Sequence, residues 1–148
     1  MVYEVELGIV IGKRCSNVSE AEAAEHIFGY TCVDDVTAAD LIPKNPTFAQ
    51  WARAKSFDTF GVFGPVIATG LDPSALSIRT VLDGQERQNY PVSDMIFQPH
   101  RLVSFLSRDM TLLPHMFNLM ARGGVTAQIA FAKPVPAGQK RHWSNGTC

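Results

Sequence analysis

Glu4 and Glu6 stand two residues apart in the run Tyr3-Glu4-Val5-Glu6-Leu7-Gly8-Ile9-Val10-Ile11. On a strand, that spacing turns both carboxylates to one face, with their backbones about 7 Å apart. Like charges so placed repel unless water screens them or a cation lies between them. Hard divalent ions such as Mg²⁺ select carboxylate oxygens. Two readings are open, a metal-holding pair or the solvated outer face of an amphipathic strand, and spacing alone favours the second. Asp34 and Asp35 close another strand-like run, Tyr30 to Val36. Adjacent strand residues point to opposite faces, so only one of the two can join a shared site; a plain strand-end turn is the simpler reading. Lys55 lies in Ala-Lys-Ser-Phe-Asp-Thr-Phe between apolar segments. It would neutralise a developing oxyanion or bind a substrate carboxylate, or else cover apolar surface with its stem.

Other chemistries find no support. Gly8 to Lys13 echoes a phosphate loop, but the spacing is one residue short and no Ser or Thr follows the Lys. There is no GxSxG. His26, His100, His115 and His142 show no metal spacing. Cys15, Cys32 and Cys148 are odd in number and form no CxxC, which excludes a disulfide framework and a structural zinc site. Cys32 reads as a small buried hydrophobe.

The elements that must position these residues are short. Residues 2–11 read as a strand with Val5, Leu7, Ile9 and Ile11 on one face and Glu4, Glu6, Gly8 and Val10 on the other, ended by Gly12. Ser19 to Phe28 reads as a helix with a Ser19/Glu22 capping box and Gly29 as its stop. Residues 30–36 return as a strand, and a single turn over Thr37–Leu41 follows. Pro43 and Pro46 impose a loop, and Phe48–Ala54 forms a short helix. Gly61 to Pro73 is turn-rich around Val66-Ile67-Ala68. Residues 76–82 and 85–92 form a hairpin through Asp83-Gly84. Pro99 opens a helix whose stripe is Leu102, Val103, Phe105 and Leu106. The pattern is α+β, mainly β, and not a doubly wound sheet.

The chain has 148 residues, 46% hydrophobic and 18% charged, enough for one core and suggesting one domain, two at most. A net charge of −1 argues against a dedicated nucleic-acid binder. No apolar run approaches a membrane span, and no signal peptide is visible. With this cysteine usage, a cytoplasmic location is expected. Charge is uneven. All fourteen acids and nine of the thirteen bases lie in residues 1–113; residues 114–148 carry Arg122, Lys133, Lys140 and Arg141 and no acid. Residues 1–114 are therefore expected to form a core, with 115–148 a divergent basic tail, partly disordered. Within that tail only 116–120 and 125–132 are apolar enough for a helix or strand pair.

Taken in order, four stretches resemble the fumarylacetoacetate hydrolase family. They are Tyr3 to Lys13, Gly29 to Asp40, Ala54 to Phe60, and Gly64-Pro65-Val66-Ile67. Ser93 to Phe97 and Met110 to Pro114 also fit, so the likeness runs over residues 2–114. The resemblance implies a mixed, mainly β roll, here incomplete at both ends. It implies a divalent ion, Mg²⁺ or else Mn²⁺ or Ca²⁺, with Glu4, Glu6 and Asp35 as ligands and Lys55 as the substrate-contacting, catalytic lysine. The substrate would be a small 2-oxo acid or 1,3-dicarbonyl compound, and neither nucleic acid nor membrane is an expected partner; a homodimer is compatible with the family. The implied reaction is hydrolysis of a C–C bond in an acylpyruvate-type substrate, with the ion and Lys55 stabilising an enolate. The alternative is isomerisation or decarboxylation of 2-oxo or 2-hydroxy-diene dioates in aromatic catabolism.

Three departures accompany the likeness. Asp34 stands where the family usually has Asn. Ala39 stands where it often has Arg. After Pro114, His115-Met116-Phe117 replaces the family's Gly-Asp and Gly/Thr-rich strand. The family also has an N-terminal part with a His/Glu pair that has no counterpart here. The expectation is a family core with its N-terminus lost and its C-terminus replaced, which makes a non-catalytic remnant the rival of another class.

Overall fold

The structure is a computed structural model that describes residues 1–114 and, beyond them, the backbone of two short strands. A five-stranded antiparallel sheet has the order β3-β2-β1-β6-β7, with β1 Val5–Ile11, β2 Ile27–Asp34, β3 Val62–Ala68, β6 Met116–Asn118 and β7 Ile129–Ala130. A separate hairpin joins β4 Ser77–Leu82 to β5 Gln85–Pro91. The helices are α1 Glu20–Ala23, α2 Trp51–Lys55 and α3 Pro99–Asp109. The mainly β, α+β architecture read from the sequence is the one observed.

β1 is central, and both its faces are buried. One face places Leu7, Ile9 and Ile11 beside Tyr30, under Val103 and Leu106 of α3, with Leu112, Val92, Ala23 and Cys15 completing the cluster. Each such fully buried aliphatic contributes on the order of 1.5–3 kcal/mol. The other face carries Glu6, Gly8 and Val10 toward Thr31 and Val33. Gly8 is required there: a Cβ would fall 2.7 Å from Val33 Cγ2 and 2.9 Å from Thr31 Cγ2.

α3 is fixed to the segment before α1 by its serines. The Ser104 hydroxyl donates to the Val18 carbonyl at 2.9 Å, and the Val18 amide donates to Ser107 Oγ at 3.1 Å. Cys15 and Leu112 exchange backbone bonds beside them, at 2.9 and 2.8 Å.

Several boundaries differ from the expected ones. The Ser19/Glu22 capping box is present, but the helix ends at Ala23 and a 3-10 turn takes the chain to His26. Gly29 lies within β2, where pairing with β1 overrides its stop signal. Pro43 sits inside a 3-10 turn over Ala39–Lys44 instead of enforcing a loop; proline lacks only a donor there and keeps a compatible φ. Residues 62–68 form a full strand because β2 offers an edge to pair with. In α3, Val103 and Leu106 face inward, whereas Phe105, about 200° from Val103 around the helix, is 56% exposed. Cys32 is exposed, contrary to the buried reading: it pairs with Leu7 on one side, but its neighbour on β3 is Gly64, which has no side chain to cover it. The Asp83-Gly84 hairpin is as expected, with φ of +52° and +74°, the positive values a two-residue turn demands. The strands of residues 116–118 and 129–130 fall within the two apolar stretches read from the tail. The looseness expected beyond Pro134 concerns positions outside the described residues.

Candidate metal centre

The ladder that pairs Val5 with Asp34 and Glu6 with Val33 continues past the ends of β1 and β2. The Asp35 amide donates to the Glu4 carbonyl at 2.8 Å, and Val2 and Thr37 exchange two backbone bonds at 2.8 and 2.9 Å. Residues opposite one another share a face. Glu4, Glu6, Asp35 and Thr37 therefore stand on one side of the sheet, and Asp34 stands on the other. Strand alternation had already limited the Asp34–Asp35 pair to one participant; the register selects Asp35.

Lys55 reaches this face from the last position of α2. The helix is seated by the Ala38 amide, which donates to the Ala54 carbonyl at 2.8 Å, and by Ala54 itself, which is fully buried. The Lys55 ammonium donates to Asp35 Oδ2 and, at 2.9 Å, to Thr37 Oγ1. Lys55 is 3% exposed and Glu6 4%. Neither a solvated strand face nor a surface lysine describes these residues.

One carboxylate oxygen from each of Glu4, Glu6 and Asp35 lies within 4.8 Å of the others. Three acids so close cannot all ionise cheaply without a cation. Glu6 feels this most: its carboxyl is pushed up to about 8, first by burial and then by the charge of Asp35, with Glu4 and Asp34 adding and Lys55 opposing. Burial also raises Asp34, helped by the Asp35 charge and countered by a backbone hydrogen bond at Glu4. One lysine thus leaves the cluster short of positive charge. Glu6 Oε2 is buried with no hydrogen-bond partner among the described residues, a costly condition that calls for a missing partner. An all-oxygen, all-carboxylate donor set with one orphaned buried oxygen fits a hard divalent cation and not a soft metal.

Thr37 is the member of this group that sequence reasoning passed over. It lies within the Gly29 to Asp40 stretch, but a hydroxyl at a strand end carries no distinctive signal, and only the register puts it beside Asp35. His26 is half-buried at the end of the 3-10 turn after α1, away from the carboxylate group.

An antiparallel sheet thus gathers Glu4, half-buried, with the buried Glu6, Asp35 and Lys55 at one strand end, an acidic cluster that could hold a metal ion. The family model described as fumarylacetoacetate hydrolase, C-terminal, matches residues 1–116. The fumarylacetoacetate hydrolase domain-containing protein 2 homolog of Dictyostelium discoideum is 43% identical over 76% of this chain and 40% of its own length. The 5-carboxymethyl-2-hydroxymuconate delta-isomerase of Mycobacterium smegmatis superposes with a TM-score of 0.74 at 44% identity, covering 85% of this chain and 49% of that one. Fumarylacetoacetate hydrolase from Exiguobacterium antarcticum gives 0.71 at 36% identity, over 78% and 42%. The chain belongs to the fumarylacetoacetate hydrolase family. It spans less than half the length of the curated relatives it matches. Among the described residues, no helix is long and apolar enough to cross a membrane.

Proposed function

We propose that this chain carries the metal-holding core of a divalent-metal-dependent hydrolase that cleaves a C–C bond in acylpyruvate or 1,3-dicarbonyl substrates. Glu4, Glu6 and Asp35 would hold Mg²⁺ or Mn²⁺, and Lys55 would contact the substrate. The observation that carries this reading is the buried Glu6 carboxyl, within ligand reach of Glu4 and Asp35 and with no partner for Oε2 among the described residues. When bound, a divalent ion supplies positive charge to two adjacent substrate oxygens and so favours an enolate. The chain's own contribution is arrangement. The β1–β2 register sets the three carboxylates, and α2 delivers a buried ammonium beside them. That ammonium adds charge where substrate oxygen becomes anionic, in surroundings that screen it little.

A second reading, isomerase in place of hydrolase, is favoured by the likeness to the mycobacterial delta-isomerase. The two are separated by incubating the purified chain and Mg²⁺ or Mn²⁺ with an acylpyruvate and, in parallel, with a 2-hydroxy-diene dioate. Pyruvate release from the first supports the hydrolase. Ultraviolet absorbance change in the second without C–C cleavage supports the isomerase. Metal binding without either reaction supports a non-catalytic remnant.

A further inference from the structure

We propose that Thr37 is the positioning residue for Lys55, holding its ammonium in place when an ion engages Asp35. The inference rests on the reading that Glu4, Glu6 and Asp35 hold a divalent ion. A buried ammonium has three protons to place, and Lys55 gives to the Asp35 carboxylate and to the Thr37 hydroxyl. These two acceptors respond differently to a cation. Asp35 belongs to the carboxylate group, so a bound ion draws on its oxygens and its positive charge repels the neighbouring ammonium. Thr37 Oγ1 is a neutral hydroxyl and not one of the three carboxylates, 2.9 Å from the ammonium. It remains an acceptor whether or not the ion is present.

Thr37 is also built to stay where it is. It is 5% exposed. Its amide and carbonyl are both bonded to Val2, beside the first ligand, Glu4. Its successor, Ala38, bonds to Ala54, the residue before Lys55. Its own hydroxyl proton turns to the Asp35 carbonyl at 3.4 Å, which leaves a lone pair for the lysine. Thr37 thus links the ligand strand to the lysine helix through both backbone and side chain. Its hydroxyl is a neutral contact through which the ammonium keeps its aim at substrate in the loaded site.

The test uses Mg²⁺ and oxalate, a planar dianion with two adjacent oxygens, measured by calorimetry on the whole chain. In Thr37→Val, Mg²⁺ affinity should stay within about twofold of the parent. Oxalate affinity in saturating Mg²⁺ should fall about tenfold, the size expected for losing a hydrogen bond to a charged group. Thr37→Ser should restore it. A merely structural role would weaken both ligands together and would not be rescued selectively. A second measurement needs no variant: acetylation of Lys55, followed by mass spectrometry, should be no faster in saturating Mg²⁺ than in its absence. Unchanged oxalate binding in Thr37→Val, failure of Thr37→Ser to rescue, or Mg²⁺-accelerated labelling of Lys55 overturns the inference while leaving the metal reading intact. Absence of Mg²⁺ binding by the unmodified chain overturns the metal reading, and the inference falls with it.

Discussion

Replacing Glu6 by Gln should make the metal-free protein more stable at neutral pH and abolish its response to divalent ions. Glu6 is almost fully buried, and its pKa is raised from 4.5 to about 8 in the folded chain. The folded state therefore holds a proton that the unfolded state has released between those two values. Stability must then fall as pH rises through this window, and it is fully present only below about 4.5. At 1.36 kcal/mol per unit, the whole window corresponds to about 5 kcal/mol, of which roughly 3 kcal/mol is already lost at pH 7. Glu6→Gln keeps the shape of the protonated acid and does not titrate. Urea denaturation in chelator at pH 5, 6, 7 and 8 should show parent stability declining by a few kcal/mol, with the variant nearly level. Adding Mg²⁺ should reverse the order, because binding requires the carboxylate and releases its proton. The parent should gain stability with Mg²⁺, increasingly so as pH approaches 8, and the variant should gain little. A parent profile that is flat or rises from pH 5 to 8, or a variant stabilised by Mg²⁺ as much as the parent, would refute the reasoning.

Lys55→Met leaves Asp35 buried without its ammonium and should cost about 3–5 kcal/mol in chelator by urea melts, with a large part of that recovered in Mg²⁺. Gly8→Ala forces a Cβ to 2.7 Å from Val33 Cγ2 and should cost about 1–3 kcal/mol in the same assay. Ser19→Ala removes the cap acceptor for the Glu22 amide and the hydroxyl bonded to Glu22. The expected loss is about 0.5–2 kcal/mol by thermal melting, with no change in Mg²⁺ affinity.

The sequence disclosed local geometry well. The i, i+2 spacing put Glu4 and Glu6 on one face, Asp83-Gly84 marked the hairpin, and Ser19/Glu22 marked the start of α1. It could not disclose which face was buried. Val5, Leu7, Ile9 and Ile11 looked like the sole core face of β1, yet Glu6 and Val10 on the glutamate face are buried too, as are Thr31 and Val33 beside them on β2. Cys32 failed for the complementary reason: it read as a small buried hydrophobe, but its β3 neighbour is Gly64, which offers no side chain to cover it. The residues of the candidate site came from the family resemblance, since spacing alone favoured a solvated face for the glutamates. The resemblance put Lys55 beside the carboxylates; what neither it nor spacing revealed was the Lys55–Thr37 contact, which joins residues eighteen positions apart and exists only once β2 and α2 are packed.

Glu4, Glu6 and Asp35 are proposed to hold one divalent ion together. Calorimetric titration of the chelator-treated chain with Mg²⁺ or Mn²⁺ tests it most directly, alongside Glu4→Gln, Glu6→Gln and Asp35→Asn. One ion per chain is expected for the unmodified protein, with binding lost or severely weakened in each variant. Absence of saturable binding in the unmodified chain, or unchanged affinity in the three variants, would contradict it.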